Sequence, residues 1–214
     1  MGNVLIAYNN DGDTVLHDYF ESCADEAKQI CADNAIDYSS ICPPELKESI
    51  IISKMSSHQL CFFAGHGDVD GIYNEHDEAV VSTHTTNYNF SGKGLYCVAC
   101  SCAQNLYPQL RALGLKLFVG YCDVVRVKGS IEPFVNSAMA GLKSFLSGDN
   151  FQESKKKMLS SFDKEITSLD ADSWEAKFLV HNKEVLVFEG DDAFVFSSLQ
   201  QDKENVTGNQ HKTS

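Results

Sequence analysis

The sequence LCFFAGHG at residues 60–67 and the sequence LYCVAC at residues 95–100 share one pattern. Each begins as an unbroken apolar run of strand length, and each leads into a side chain able to do chemistry. Such runs are typical of central strands in a parallel sheet that helices cover on both faces. Because consecutive strands usually lie next to each other, the pattern predicts that His66 and Cys100 meet at one edge of a buried sheet.

The rest of the chain alternates between strand-like runs and stretches of helical period, which is typical of an α/β fold. Further strands are predicted at residues 4–8, 36–38 and 116–121. Helices are predicted at residues 14–34, from Pro43-Pro44 through Met55, from about 103 to 113, at 133–146 and at 151–169. Residues 71–90 are polar and predict a surface excursion with one strand at 79–81. The prediction is a mostly parallel sheet of about six strands with helices on both faces.

The C-terminal part is expected to form a β-hairpin. Its strands are predicted at residues 176–180 and 184–188, with a turn at 181–183, and a last short strand at 193–196. Residues 1–199 then make a single domain, and the polar residues 200–214 form a disordered tail.

Composition excludes several function classes. The 214 residues are 43% hydrophobic and carry a formal net charge of −13, so phosphate repulsion disfavours direct nucleic-acid binding. No apolar run reaches the ~18 residues of a membrane span, and the N-terminal residues lack a basic signal-peptide region. Eight cysteines in this length are far below the density of a disulfide scaffold. A cytoplasmic protein with reduced cysteines is expected.

An imidazole beside a thiol is the minimum set for covalent acyl transfer. The base keeps thiolate available near neutral pH, and the thiolate attacks a carbonyl carbon. Gly67 permits a close approach of its N–H to the substrate, so the N–H groups of Gly67 and Cys100 form a candidate oxyanion hole.

These motifs carry a family resemblance. FFAGHG (62–67), VACS (98–101) and FVGYCDVV (118–125), with a following helix that contains Ala138, Gly141 and Leu142, resemble the caspase-like cysteine peptidases and their CHAT branch, which includes separase. The similarity covers about residues 60–146. It implies a caspase-like three-layer sandwich in which Cys100 is the nucleophile and His66 the base, with Gly67 and Cys100 as the oxyanion hole. No metal and no cofactor are implied.

The chain departs from the family at several positions. The interval of 34 residues between His66 and Cys100 is shorter than the ~50 residues of caspases. Relatives that cleave after Arg or Lys often carry an acid where this chain has Val98. Asp123 matches an acidic position of separase-like members, and Arg126 stands where those members often have a second acid. Asp123 is therefore a candidate substrate-binding residue.

An acidic run follows His66, and it includes Asp68 and Asp70. It is either a solvated loop or a rim that attracts a basic substrate segment. On the second interpretation, Asp68 and Asp70 join Asp123 as candidate substrate-binding residues, and cleavage after a basic residue is expected.

Four alternatives stay open. Cys102 is a rival nucleophile, because a helix N-terminus there would lower its pKa. Cys97, Cys100 and Cys102 could hold zinc with His66, although strand alternation turns Cys97 and Cys100 to opposite faces. The protein could be a catalytically inactive caspase-fold scaffold that binds a partner. A nucleotide-binding domain is disfavoured, since no glycine-rich loop follows the first strand.

The expected function is a regulated cysteine endopeptidase of the cytoplasm. Uncontrolled proteolysis is harmful to a cell, so a regulatory protein or a small-molecule activator is an expected partner beside the protein substrate. In bacteria, such relatives often belong to stress or antiviral defence systems, and the resemblance implies that role here.

Overall fold

The chain folds around a central β-sheet. The computed structural model describes residues 3–10, 14–84 and 90–203. Its strands are β1 (Asn3–Tyr8), β2 (Asp37–Ile41), β3 (Leu60–Ala64), β4 (His66–Gly67), β5 (Gly71–Tyr73), β6 (Ala79–Ser82), β7 (Gly94–Val98), β8 (Leu117–Tyr121) and β9 (Leu186–Gly190). Its helices are α1 (Thr14–Asp33), α2 (Glu48–Met55), α3 (Leu106–Ala112), α4 (Glu132–Leu146), α5 (Phe151–Ser168) and α6 (Trp174–Glu184), followed by a 3-10 helix, Phe196–Lys203.

The central sheet has six strands in the order β2-β1-β3-β7-β8-β9. The first five are parallel, and β9 runs antiparallel to β8 at the edge. Every residue of β3, β7 and β8 is buried, as the unbroken apolar runs predicted. The predicted α/β class and the mostly parallel sheet of about six strands are confirmed.

Helices cover both faces of this sheet, and each face has its own core. Phe62 and Tyr96 of the strands pack on one face with residues of α1, α4, α5 and α6. Cys61 and Phe63 point to the other face and pack with residues of α2, α3, β5 and β6. Successive residues of β3 thus point to opposite faces of the sheet. The sheet and the elements packed on its two faces make three layers in all.

The predicted C-terminal hairpin is wrong. Residues 174–184 form α6, and only the second predicted strand exists, as the edge strand β9. The Ser173 side chain accepts a hydrogen bond from the Ala176 N–H and so starts the helix. Ala176 and Leu179 are buried three residues apart, which is a helical period.

Three other predicted boundaries also change. α2 begins at Glu48 and not at the prolines. Leu46 belongs to a loop before the helix, where its carbonyl accepts a hydrogen bond from the Asn74 side chain at 3.1 Å. The predicted strand at 193–196 is absent, since the chain turns there and enters the 3-10 helix. That helix continues to Lys203, beyond the predicted start of the tail, and residues 204–214 lie outside the described part.

The polar excursion after β3 contains a second sheet. β4, β5 and β6 pair antiparallel in that order, so two strands, β4 and β5, join the one that was predicted. Residues 85–89 of the excursion lie outside the described residues. This small sheet packs beside α2 and carries His66 in its first strand.

Within the described ranges, the helices are too short or too polar to cross a bilayer.

Candidate active site

His66 and Cys100 lie just beyond the carboxyl ends of the neighbouring strands β3 and β7. Ala64 of β3 pairs with Val98 of β7, and the Gly65 N–H then donates to the Val98 carbonyl at 3.1 Å. His66 and Cys100 each follow this last pair by two residues, just beyond the ends of the paired strands. Gly67, next to His66, packs against the Cys100 backbone, so the two segments lie side by side.

The contacts of both side chains confirm that they share one face. Cys100 packs against the core that contains Val98 and α1. The His66 ring meets Phe20 of α1 edge-on, with ring centroids 5.5 Å apart. Both residues are half-buried, so each combines a fixed position with an exposed surface.

Gly67 touches the backbone of Cys100. A β-carbon at residue 67 would stand 2.7 Å from the Cys100 carbonyl oxygen and 3.3 Å from the Cys100 nitrogen. Such distances leave no room for a side chain, so the close packing of β4 on the Cys100 segment requires glycine. The segments that carry the two predicted oxyanion-hole N–H groups are therefore packed against each other.

The Cys100 sulfur has one defined hydrogen-bond donor. The Val125 N–H lies 3.3 Å from Sγ and points to it. Burial raises the pKa of Cys100, the Val125 N–H lowers it, and the charges of Cys102 and Asp123 raise it further. The net shift is upward, so the resting group is a thiol and a base must take its proton before it can attack a carbonyl.

The chain is strained directly after Cys100. Ser101 has φ of +54°, in the left-handed region that non-glycine residues rarely adopt. Its N–H donates to the Asp123 carbonyl at 3.1 Å, which helps to hold this conformation. Backbone strain of this kind clusters at functional sites. Ser101 lies three residues beyond the end of β7, in the segment that leads to α3.

Asn9 helps to hold the small sheet that carries His66, and this role could not be predicted from the sequence. Its side chain is fully buried, and Nδ2 donates to the Tyr73 carbonyl at 3.0 Å. Tyr73 pairs with His66 across β4 and β5. Asn9 therefore fixes the small sheet to the end of β1. In the sequence it belongs to a polar turn cluster, which gives no sign of burial.

Cys102 does not have the properties of a nucleophile. It is 0% exposed, and it lies in a turn ahead of α3 rather than in a helical turn. A hydrogen bond from Cys97 lowers the pKa of Cys102, while burial raises the pKa of Cys97. A sulfur without exposed surface cannot meet a peptide carbonyl, whatever its pKa.

The zinc alternative finds no support in the geometry. Cys97 and Cys102 belong to the core shared with α2 and α3, whereas Cys100 packs on the opposite face. Among the residues with assigned positions, no group of three or more His, Cys, Asp or Glu side chains is arranged to hold a metal ion.

The three candidate acidic residues occupy different positions. The Asp68 carboxylate holds its own turn, since one oxygen accepts from the N–H groups of Asp70 and Gly71 and from the Tyr73 hydroxyl. Asp70 accepts from the Asn105 side chain at 2.9 Å, which ties the turn to the start of α3. Asp123 is exposed, and its charge reaches Cys100. Asp123 is thus the carboxylate connected most directly to the thiol.

A second set of contacts, not predicted from the sequence, holds the loop after β8. Asn182 of α6 is 2% exposed and makes two hydrogen bonds to the backbone of Arg126. His181 binds the Val124 carbonyl at 2.9 Å. Both residues fell in a predicted turn. Asn182 follows the buried Leu179 by three residues, and that helical spacing was the available signal.

No protein-family model matches the chain, and a search of curated proteins finds no match either. The interpretation of the site therefore depends on its motifs and its geometry.

Proposed function

We propose that the protein is a regulated cysteine endopeptidase of the caspase-like fold, similar to the CHAT and separase branch. Cys100 is its nucleophile and His66 its base. The observation that supports the proposal is that His66 and Cys100 lie just beyond the ends of the paired strands β3 and β7, with both side chains on the α1 side of the sheet. The six-stranded, mostly parallel sheet agrees with the fold that the resemblance implies.

The chemistry follows from these positions. His66 takes the proton of the Cys100 thiol, and the sulfur bonds to the carbonyl carbon of the scissile peptide. The N–H groups of Gly67 and Cys100 receive the negative charge on the carbonyl oxygen. The C–N bond then breaks as His66 returns the proton to the leaving amine. Water attacks the thioester with His66 as base, which releases the acid and restores the thiol.

The resting state of the thiol fits a regulated enzyme. Because burial raises the pKa of Cys100, little thiolate is present near neutral pH without further stimulus. A regulatory protein or a small molecule that changed the surroundings of Cys100 would then increase the thiolate fraction. A cytoplasmic location and a role in bacterial stress or antiviral defence belong to the proposal through the resemblance alone.

The acidic edge of the cleft suits a basic substrate segment. Asp70 follows β4, which carries His66, and Asp123 follows β8, the neighbour of β7 in the sheet, while the Asp68 carboxylate is largely used by its turn. The preferred substrate is a protein with Arg or Lys near the cleaved bond, steered by this charge.

A catalytically inactive scaffold is the second candidate function. The raised pKa of Cys100, and its sulfur acting as an acceptor for Val125, also suit a structural cysteine. On this alternative the cleft binds a partner protein and no bond is broken.

Mapping of new N-termini in a cell lysate by mass spectrometry tests the proposal. The experiment compares wild-type protein with the variants Cys100→Ala, His66→Ala and Cys122→Ala. Each is expressed in cells that also carry the genes adjacent to the gene of this protein, and the lysate of those cells is analysed. We expect new N-termini with wild type and with Cys122→Ala, which removes an exposed thiol at the end of β8. Both dyad variants should lose them. An identical cleavage map with Cys100→Ala would reject the nucleophile, and a lack of cleavage by wild type would favour the scaffold.

A further inference from the structure

The loop after β8 is fixed to the end of α6 at alternate residues. The Cys122 N–H donates to the Val185 carbonyl at 2.8 Å. His181 Nε2 donates to the Val124 carbonyl at 2.9 Å. Asn182 then binds both backbone groups of Arg126: Oδ1 accepts from the N–H at 2.9 Å, and Nδ2 donates to the carbonyl at 2.8 Å. Residues 122, 124 and 126 are thus held from the α6 side.

Val125, between these anchors, faces the active site. Its N–H donates to Cys100 Sγ at 3.3 Å. Its side chain is 7% exposed and lies in the core, whereas Val124 before it is 48% exposed. The anchors on both sides of Val125 therefore fix the orientation of its N–H.

We propose that Asn182, together with His181, is a positioning residue that holds the Val125 N–H against the Cys100 sulfur. This inference extends the proposed function, since it assigns α6 a part in preparing the nucleophile. Both of these Asn182 hydrogen bonds go to the backbone of Arg126, so they do not depend on which side chain stands at residue 126.

The physical effect is specific to the thiolate. A hydrogen bond to a charged acceptor is stronger than one to a neutral acceptor, so a fixed N–H favours the thiolate over the thiol. Asp123 and Cys102 act on Cys100 in the opposite direction, and His66 lies beyond the end of the neighbouring strand β3. Asn182 is uncharged, so its removal alters the Cys100 titration through Val125 and not through a change of charge.

The test measures the pH dependence of Cys100 alkylation by iodoacetamide, quantified for each cysteine by mass spectrometry. For Asn182→Ala, we expect the midpoint of the Cys100 profile to move upward, with about 10-fold slower labelling at a fixed pH below the midpoint. The profile of Cys42, which follows the edge strand β2, is the internal reference. The matched control is Asn136→Ala, which removes an exposed asparagine that bonds Glu165 between α4 and α5.

An unchanged Cys100 midpoint in a folded Asn182→Ala protein would overturn the inference. If that variant does not fold, His181→Ala carries the test, since His181 is only half-buried. The same upward shift is expected, and an unchanged midpoint again rejects the inference. The measurement needs no substrate. A shifted midpoint without peptidase activity would therefore reject the proposed function alone, and activity without a shift would reject the positioning role alone.

Discussion

The backbone of Gly67 approaches that of Cys100 so closely that a β-carbon at residue 67 would lie 2.7 Å from the Cys100 carbonyl oxygen. Real β-carbons do not come this near to backbone, so neither segment can move independently of the other. The contact joins the strand that carries His66 to the segment that carries the thiol. The relative position of base and nucleophile therefore depends on the absence of a side chain at residue 67.

Gly67→Ala should reduce the specificity constant kcat/KM by about 100-fold, because a displacement of ~1 Å at a reacting group has that cost. Peptide-cleavage kinetics would measure the loss. The added methyl also meets the Ala99 β-carbon at 3.0 Å. The double variant Gly67→Ala/Ala99→Gly relieves only that contact and should stay inactive. Restored activity in the double variant would show that the backbone contact is not the important one.

Cys102→Ala should keep most of the cleavage activity, since the Cys102 sulfur has no exposed surface. The expected cost is about 1 kcal/mol of unfolding free energy, a typical value for a buried substitution. Urea unfolding and cleavage assays on the same preparation would separate the two effects. A Cys102→Ala protein that is stable but inactive would return Cys102 to consideration as the nucleophile.

Asp123→Asn should change two properties of the site. The Asp123 charge adds to burial in raising the pKa of Cys100, so its removal should lower that pKa and speed alkylation near neutral pH. It should also weaken the preference for Arg or Lys at the cleaved bond, as measured with paired peptides that differ only at that residue. Asp191→Asn, at an exposed turn after β9, is the control and should do neither. Unchanged selectivity would remove Asp123 from the substrate-binding residues.

Asp68→Asn should lower the pKa of Tyr73. Burial raises that pKa to about 12, and the hydrogen bond and charge of Asp68 contribute to the increase. Absorbance titration near 295 nm, with Tyr73→Phe subtracted, would follow this hydroxyl. Asp77→Asn is the matched control in the same small sheet, since Asp77 is exposed and its φ of +58° is tolerated by asparagine. An unchanged Tyr73 pKa in Asp68→Asn would contradict the hydrogen bond from the Tyr73 hydroxyl to the Asp68 carboxylate.

Stability should fall at alkaline pH. Burial raises the pKa of Cys31 to about 11 and that of Cys61 to about 12, against an ordinary value of 9.0. The folded chain thus keeps protons that the unfolded chain releases, so this contribution is complete below pH 9 and is lost as the pH rises further. Urea midpoints at pH 7.5 and 10.5 would measure the slope. Cys61→Ala should reduce the change in urea midpoint between the two pH values, and Cys122→Ala should not. An equal change in wild type and in Cys61→Ala would contradict the contribution assigned to Cys61.

Much of the fold was predictable because burial leaves a clear pattern in the sequence. β3, β7 and β8 are apolar throughout, and α1 carries a stripe of helical period. The error at α6 has a physical origin. The run Ala176–Val180 is too short and too apolar for periodicity to separate strand from helix, and the Ser173 cap that decides the matter is one hydrogen bond.

The site was predictable in part for a similar reason. His66 and Cys100 follow apolar runs directly, so their place at strand ends could be inferred from spacing alone. The pairing of β3 with β7, which brings the ends of these strands together, is a property of two segments that neither encodes alone. Asn9 and Asn182 were missed because they are polar residues whose hydrogen-bond partners are distant backbone groups, and the helical spacing of Asn182 from Leu179 indicates its burial but not its partner.

The hydrogen bonds between Asn182 and Arg126 join residues 56 positions apart, and this has a consequence for the order of folding. Contacts between residues so far apart in the sequence form late in folding, because closing the intervening loop costs conformational entropy. During synthesis, a nascent chain whose α6 is still inside the ribosome has β3 and β7 available but cannot yet anchor the Val125 N–H. The hydrogen bond from Val125 to the Cys100 sulfur is therefore expected to form only after α6 has been synthesised.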